Sequence, residues 1–327
     1  MSCPPAVPVL EVDRLSVSYR TERGDLKALR NVSLQVPRGE IVGIVGESGC
    51  GKSTLISAMF RLLAPNAQLV SGEIRFRGED LLSLDPESMR ALRGDELAMV
   101  FLDPMTSLNP VLSIGRQMRD IQYRLKEPKA DKNARSMRML EKVGSPDPQA
   151  RLRDVPHQLS GGMRQRVAIA MALMMKPSLL IADEPTTALD ATLEVQIIHQ
   201  LKALQTEIGC SILFISHHLG VIAELCDHVV VMYAGEVVET GSVREIFHSP
   251  SHPYTRMLLA CDPGGITERT KVLPIIRGFL PDLVDLPPGC IYRDRCDMAT
   301  DACAEYKPGL RDLGGRKVAC LLTAESS

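Results

Sequence analysis

A chain of 327 residues, 45% hydrophobic and 24% charged, can build one large or two ordinary domains around a sizeable core. Aromatic residues make up only 4% and Trp is absent, so that core must come from Leu, Ile, Val, Ala and Met. A net charge of −2 gives no general drive toward nucleic acid or anionic lipid, and no nucleic-acid partner is expected.

In chain order, "VLEVDRLSVSY" (9–19) alternates apolar and polar residues and predicts an edge strand. "RNVSLQVPRGEIVGIVG" predicts a strand, a turn and a short apolar strand covered on both faces. "KSTLISAMFRLL" predicts a helix, "SGEIRFRGEDLL" an alternating strand and "LAMVFL" a buried one. Residues 113–143 carry helical spacing and many charges, and 160–176 form a helix opened by Ser-Gly-Gly. Then come the buried strand "SLLIAD", a helix closed by Gly209, the buried strand "CSILFIS", the helix "LGVIAELC" and a hairpin over 228–241. This alternation predicts an α/β fold with a largely parallel sheet, interrupted by a helical insertion at about 105–165. After Pro250 the chain turns rich in Pro, Gly and short polar residues, an appended tail over 250–327. No run of about 18 apolar residues appears, so no membrane span is expected. The N-terminus lacks the basic and apolar regions of a secretory signal, so the chain is expected in the cytoplasm.

Three segments carry chemistry. "GESGCGKST" (46–54) fits G-x-x-x-x-G-K-[ST] between a predicted strand and a predicted helix. Gly46, Gly49 and Gly51 let the backbone turn its N–H groups inward, and the helix N-terminus adds partial positive charge for phosphates. Lys52 reaches the β- and γ-phosphates and the Ser53 hydroxyl ligates Mg²⁺. "SLLIADEP" (178–185) ends an apolar strand in two carboxylates, Asp183 to hold Mg²⁺ and Glu184 to polarise a water for attack. "LSGGMRQ" (159–165) opens a helix, with Ser160 as cap and the bare amides of Gly161 and Gly162 as a second anion site.

These pieces, with "ALD" (188–190) and "SHH" (216–218), resemble the ATP-binding subunit of ABC transporters in order and spacing over nearly all of residues 9–245. The resemblance implies an α/β P-loop NTPase (RecA-like) core with a mostly parallel sheet, an antiparallel β subdomain, a helical subdomain and a small irregular C-terminal domain. It implies that residues 9–249 form the ATP-binding domain, with the helical subdomain at about 105–165, and that 250–327 form a C-terminal extension. It further implies that Tyr19 stacks on adenine. Gly46, Glu47, Ser48, Gly49, Cys50, Gly51, Lys52, Ser53 and Thr54 would contact ATP and Mg²⁺. Glu184 would be the catalytic base, with Lys52 and His217 beside it. Ser160, Gly161, Gly162 and Gln165 would close over ATP on a second ATP-binding subunit, identical or homologous.

The narrower resemblance is to the dipeptide/oligopeptide/nickel import branch, through "DPMTSLNP" (103–110), "PHQLSGGM" (156–163), "ADEPTTALD" (182–190), "VMYAGEVVETG" (231–241) and "HPYTRMLL" (252–259). It implies an ATPase that drives uptake through two transmembrane permease subunits, fed by an extracytoplasmic binding protein, at the cytoplasmic face of the inner membrane. Peptides lead as cargo, with nickel, opines and sugars behind. The rival reading is a non-transport ABC-type ATPase acting as a nucleotide switch. It usually carries a coiled coil or a second cassette, and this chain has neither. Two positions depart from the family: Leu102 stands where Gln is usual, and is expected to slow hydrolysis or alter coupling, and His218 stands where Asp is usual.

Of nine cysteines, Cys290, Cys296, Cys303 and Cys320 fall in the tail with spacing C-x5-C-x6-C-x16-C. A zinc ribbon would have paired C-x2-C motifs, and a cytoplasmic chain disfavours disulfides. From the residues alone, zinc, an iron–sulfur cluster and unligated thiols stand level. A similar tail in some members of the peptide-import branch holds a [4Fe–4S] cluster, which the resemblance implies for these four residues.

Overall fold

The computed structural model describes residues 7–101, 107–186, 190–262, 264 and 274–323. The chain forms two compact units, one of Met1–Val36, Ile41–Ser83 and Ser216–Ser327, the other of Pro37–Glu40 and Leu84–Ile215.

The first unit begins with β1 (Leu10–Thr21), β2 (Gly24–Val36), β3 (Ile41–Val45), the helix Lys52–Met59, β4 (Ala67–Phe76) and β5 (Glu79–Asp80). Apolar–polar alternation puts Leu10, Val12, Leu15 and Val17 of β1 inside. The same pattern predicted an edge strand, and that is corrected here. β1 lies between β2 and β4 in an antiparallel sheet ordered β2-β1-β4-β5, with Leu10 opposite both Val36 and Phe76. Alternation reports that one face is buried, and both central and edge strands satisfy it.

In the second unit, β6 (Leu97–Val100), β7 (Leu179–Asp183) and β8 (Ser211–Ile215) run parallel, with β7 in the middle. Ile212, Leu213, Phe214 and Ile215 are wholly buried. Each such side chain contributes about 1.5–3 kcal/mol relative to exposure. The helices Ile114–Ile121, Lys129–Lys142, Pro148–Arg151, Gly161–Leu173 and Ala191–Ile208 complete the unit. Buried Gln122 fastens the first two, its amide donating to Met118 O, Lys132 O and Ser136 Oγ. The largely buried Arg166 donates to Val143 O and to the side chains of Gln196 and Gln200, and so ties Gly161–Leu173 to Ala191–Ile208.

The chain then returns to the first unit through the helix Leu219–Leu225, β9 (His228–Tyr233) and β10 (Glu236–Ser242). β9 pairs with β3 in parallel and with β10 antiparallel, the hairpin turning on Ala234 and Gly235 with φ of 46° and 85°. Two short strands close the chain, β11 (Arg311–Asp312) and β12 (Lys317–Val318), and β12 pairs with β10. The strands in this unit thus pair in parallel at β3 and β9 and antiparallel from β9 to β12. Among the described residues no helix is long and apolar enough to cross a membrane.

Candidate functional site

β3 delivers the chain into the loop 46–51, and the helix Lys52–Met59 carries it away. Gly46 has φ 153°, and a Cβ there would stand 2.2 Å from Met232 O. Gly51 has φ 105°, and its Cβ would meet Ala28 O at 2.9 Å. Only glycine lets the loop lie this close to its neighbours. Lys52 folds back over the loop, its Nζ donating to Gly46 O (2.6 Å) and Glu47 O (3.1 Å). Cys50 Sγ is 3.6 Å from that ammonium, but burial outweighs the charge and pushes the thiol pKa up, so it stays neutral. The Tyr19 hydroxyl donates to Thr54 Oγ1 at 3.3 Å, which brings β1 to the helix behind the loop. Ser48, Gly49 and Ser53 are exposed.

His217 belongs to the same unit. The N–H of Ser216 donates to Ile44 O at 3.4 Å, which ties this segment to the strand before the phosphate loop. The His217 ring meets His218 edge-on at 4.3 Å between centroids. His218, given no role above, is thus the neighbour that flanks His217.

The other predicted groups lie in the second unit. Asp183 ends β7, half-buried. Glu184 follows with φ 45°, a left-handed backbone in a non-glycine residue, and its N–H donates to Ile215 O at 2.9 Å. Such a backbone costs about 1 kcal/mol or more and persists only where surrounding structure imposes it. Ser160 caps the helix Gly161–Leu173, accepting from the Met163 N–H at 3.4 Å. Gly161 has open space where a Cβ would be, and Gly162 is buried. Gln165 is 1% exposed, with its amide nitrogen lacking a partner among the described residues. Leu102, Ala188 and Leu189 lie outside the described residues.

In the tail, Cys290, Cys296, Cys303 and Cys320 line one small cavity together with His252 and Tyr292. The Cys290 N–H donates to Cys303 O at 2.8 Å, and Gly289 allows that approach, since a Cβ there would stand 2.3 Å from the same oxygen. Burial, with the neighbouring thiols adding to it, pushes the Cys290 pKa up to about 11. Burial likewise pushes His252 down to about 4, leaving a neutral ring whose Nδ1 accepts the Tyr254 N–H. Among the described residues no three His, Cys, Asp or Glu side chains converge tightly enough to hold one metal ion.

The donor sets divide by chemistry. A glycine cradle with an ammonium in its mouth and a hydroxyl at a helix start fits a nucleoside triphosphate. Four thiols fit a soft metal or an iron–sulfur cluster. Sequence reasoning missed Tyr254 and Arg295, both of which bond to Glu47. No local pattern marks either, because each acts on a residue more than 200 positions away.

This combination defines an ATPase of the P-loop class. The ABC transporter family matches residues 29–187, and the oligopeptide/dipeptide transporter C-terminal region matches residues 238–303. The oligopeptide transport ATP-binding protein OppD of Bacillus subtilis is 46% identical over 92% of this chain and 84% of its own. The dipeptide transport ATP-binding protein DppD of Lactococcus lactis is 45% identical over 92% and 86%. Among solved structures, CbiO1 of Clostridium perfringens, part of an ABC transporter complex, has a TM-score of 0.65 at 30% identity, covering 74% of this chain and 91% of that one. A dimeric ATP-binding cassette in a post-hydrolysis state with ADP and Pi has a TM-score of 0.64 at 28% identity, covering 72% and 99%. The chain belongs to the ATP-binding subunits of ABC transporters, in the oligopeptide/dipeptide branch.

Proposed function

We propose that this protein hydrolyses ATP to drive uptake of peptides through two permease subunits, at the cytoplasmic face of the inner membrane. It pairs with a second ATP-binding subunit, and an extracytoplasmic binding protein delivers the cargo. The observation that carries this reading is that likeness to oligopeptide and dipeptide subunits runs through residues 238–303, a stretch beyond the phosphate loop and the carboxylates that end β7.

In this reading residues 9–249 are the ATP-binding domain, with the helical subdomain at about 105–165, and 250–327 are its extension. Tyr19 stacks on the adenine, the loop 46–54 and Lys52 hold the phosphates, and Thr54 fixes Tyr19. Ser53 and Asp183 would be the oxygen donors for Mg²⁺, which when bound would supply positive charge for the phosphoryl oxygens. Glu184 takes a proton from the attacking water, with His217 holding water and carboxylate in line. Ser160, Gly161 and Gly162 offer their helix start to ATP on the partner subunit, and Gln165 joins them after a rearrangement that exposes it. Support comes from the strained backbone at Glu184, of the kind that collects at active sites.

Cys290, Cys296, Cys303 and Cys320 hold a [4Fe–4S] cluster. The four thiols lining one cavity support this. Protein purified without oxygen is then brown, with iron and sulfide in equal amounts. Colourless protein with stoichiometric zinc overturns the cluster. For transport, the subunit is reconstituted in vesicles with the permeases encoded beside it. ATP-dependent accumulation of labelled peptides is expected, and ATPase activity indifferent to every peptide and binding protein tested overturns the cargo.

A further inference from the structure

Glu47 places a carboxylate in a loop that must receive an anion. Left alone it would repel the triphosphate. Residues of the C-terminal extension deal with it. Arg295 grips the carboxylate with both arms of its guanidinium, Nη1 to Oε2 at 2.8 Å and Nη2 to Oε1 at 3.0 Å. The Arg295 side chain is only 5% exposed and that of Glu47 27%, so water screens this pair only in part. Its remaining donors are also used: Nε bonds Arg277 O at 2.7 Å, Nη1 the Tyr233 hydroxyl at 3.3 Å and Nη2 Ile276 O at 3.4 Å. The guanidinium also lies over the Tyr233 ring, 5.6 Å from its centroid. Bonding to Glu47 drives the Arg295 pKa still further above its ordinary range.

A second contact fixes the backbone of the same residue. The Glu47 N–H donates to the hydroxyl of Tyr254 at 3.0 Å, which holds this amide in place. Tyr254 is wholly buried in a cluster with Tyr233 (4.7 Å between centroids) and Tyr292 (5.4 Å). Tyr292 also walls the thiol cavity, and Arg295 immediately precedes Cys296. The "HPYT" motif and the cysteine tail, which ATP hydrolysis leaves unexplained, thus both end at one residue of the phosphate loop.

We propose that Arg295 and Tyr254 are positioning residues for ATP binding, through which the C-terminal extension neutralises the Glu47 carboxylate and fixes its amide. This rests on the assignment of residues 46–54 to ATP. A brace of this kind makes nucleotide affinity depend on the fold of the extension. Mere structural support would lose affinity in proportion to lost stability. Charge neutralisation instead predicts rescue: once Arg295 is gone, removing the carboxylate restores binding.

The test measures binding of a fluorescent ATP analogue to the full chain, with KM and kcat for ATP alongside. Arg295→Met is expected to raise Kd and KM by about tenfold with little change in kcat. Arg295→Met/Glu47→Gln is expected to return to within about twofold of wild type. Tyr254→Phe, which keeps the ring, is expected to weaken binding by about threefold. An unchanged Kd in Arg295→Met, or a double variant no better than the single, overturns the proposal. If Arg295→Met does not fold, Arg295→Lys is read instead. It keeps the charge and loses the fork, so it should weaken binding by about threefold, and unchanged binding again overturns the proposal. A wild type that binds no nucleotide overturns the ATP assignment itself, which separates that failure from failure of the brace.

Discussion

Gly46 and Gly289 face one steric problem in two very different settings. A Cβ at Gly46 would stand 2.2 Å from Met232 O, and one at Gly289 would stand 2.3 Å from Cys303 O. Around Gly46 lie regular elements, a buried strand before the loop and a helix after it. Around Gly289 lie only fragments, the three-residue turn Arg293–Arg295 and the four-residue helix Ala302–Glu305. The phosphate loop is specified by its own backbone pattern. The tail is specified by contacts between distant side chains.

The largest expected effect lies on the chemical side of the loop. Glu184→Gln should lower ATP turnover by about 10²–10⁴-fold while nucleotide still binds, measured by phosphate release and by titration. Retained turnover would remove Glu184 from the base role. Next comes the pair of glycines. Gly46→Ala and Gly289→Ala should each cost about 3 kcal/mol, read as a fall in unfolding midpoint. The former should abolish nucleotide binding and spare the proposed cluster of the tail, which the latter should deplete. Identical losses in both variants would erase the contrast between the two regions.

A smaller effect belongs to the junction between them. Ser242 and Glu245 form a capping box at the helix Val243–His248, and Ser242 holds the Glu245 carboxyl below its usual range. Ser242→Ala should cost about 1 kcal/mol. Because the folded-state pKa is lowered, this stabilisation is present above the ordinary Glu range and is lost as pH falls through the folded value. Stability against pH should therefore be flatter on the acid side in Ser242→Ala than in wild type. The smallest effect is expected from Leu102→Gln, a modest gain in turnover in the assembled transporter, and equal rates would show that Gln is dispensable here.

The strands and the loop were legible because their cause is local. Four branched apolar residues around Gly43 in Ile41–Val45, followed by the glycines and Lys52, mark a buried strand and a phosphate cradle. The position of β1 was not legible, since alternation fixes which face is buried and not how many neighbours a strand has. Nor was the backbone of Glu184, a left-handed conformation that no residue type there advertises. Gln165 reads as polar and is buried, because its helix position packs inward. The grip of Arg295 on Glu47 spans 248 positions, and only the folded chain brings those residues together.

The two-residue strand Lys317–Val318 has a consequence out of proportion to its length. It occupies the outer side of β10 at Glu239 and Thr240, and β11 lies beyond it. Proteolytic loss of the last residues would leave that strand's amides and carbonyls unpaired, on an element whose Val237 and Val238 are otherwise buried. An open edge of this kind recruits the same edge from another molecule. A chain nicked before residue 311 should thus precipitate by strand-to-strand pairing, even though residues 46–54 remain intact.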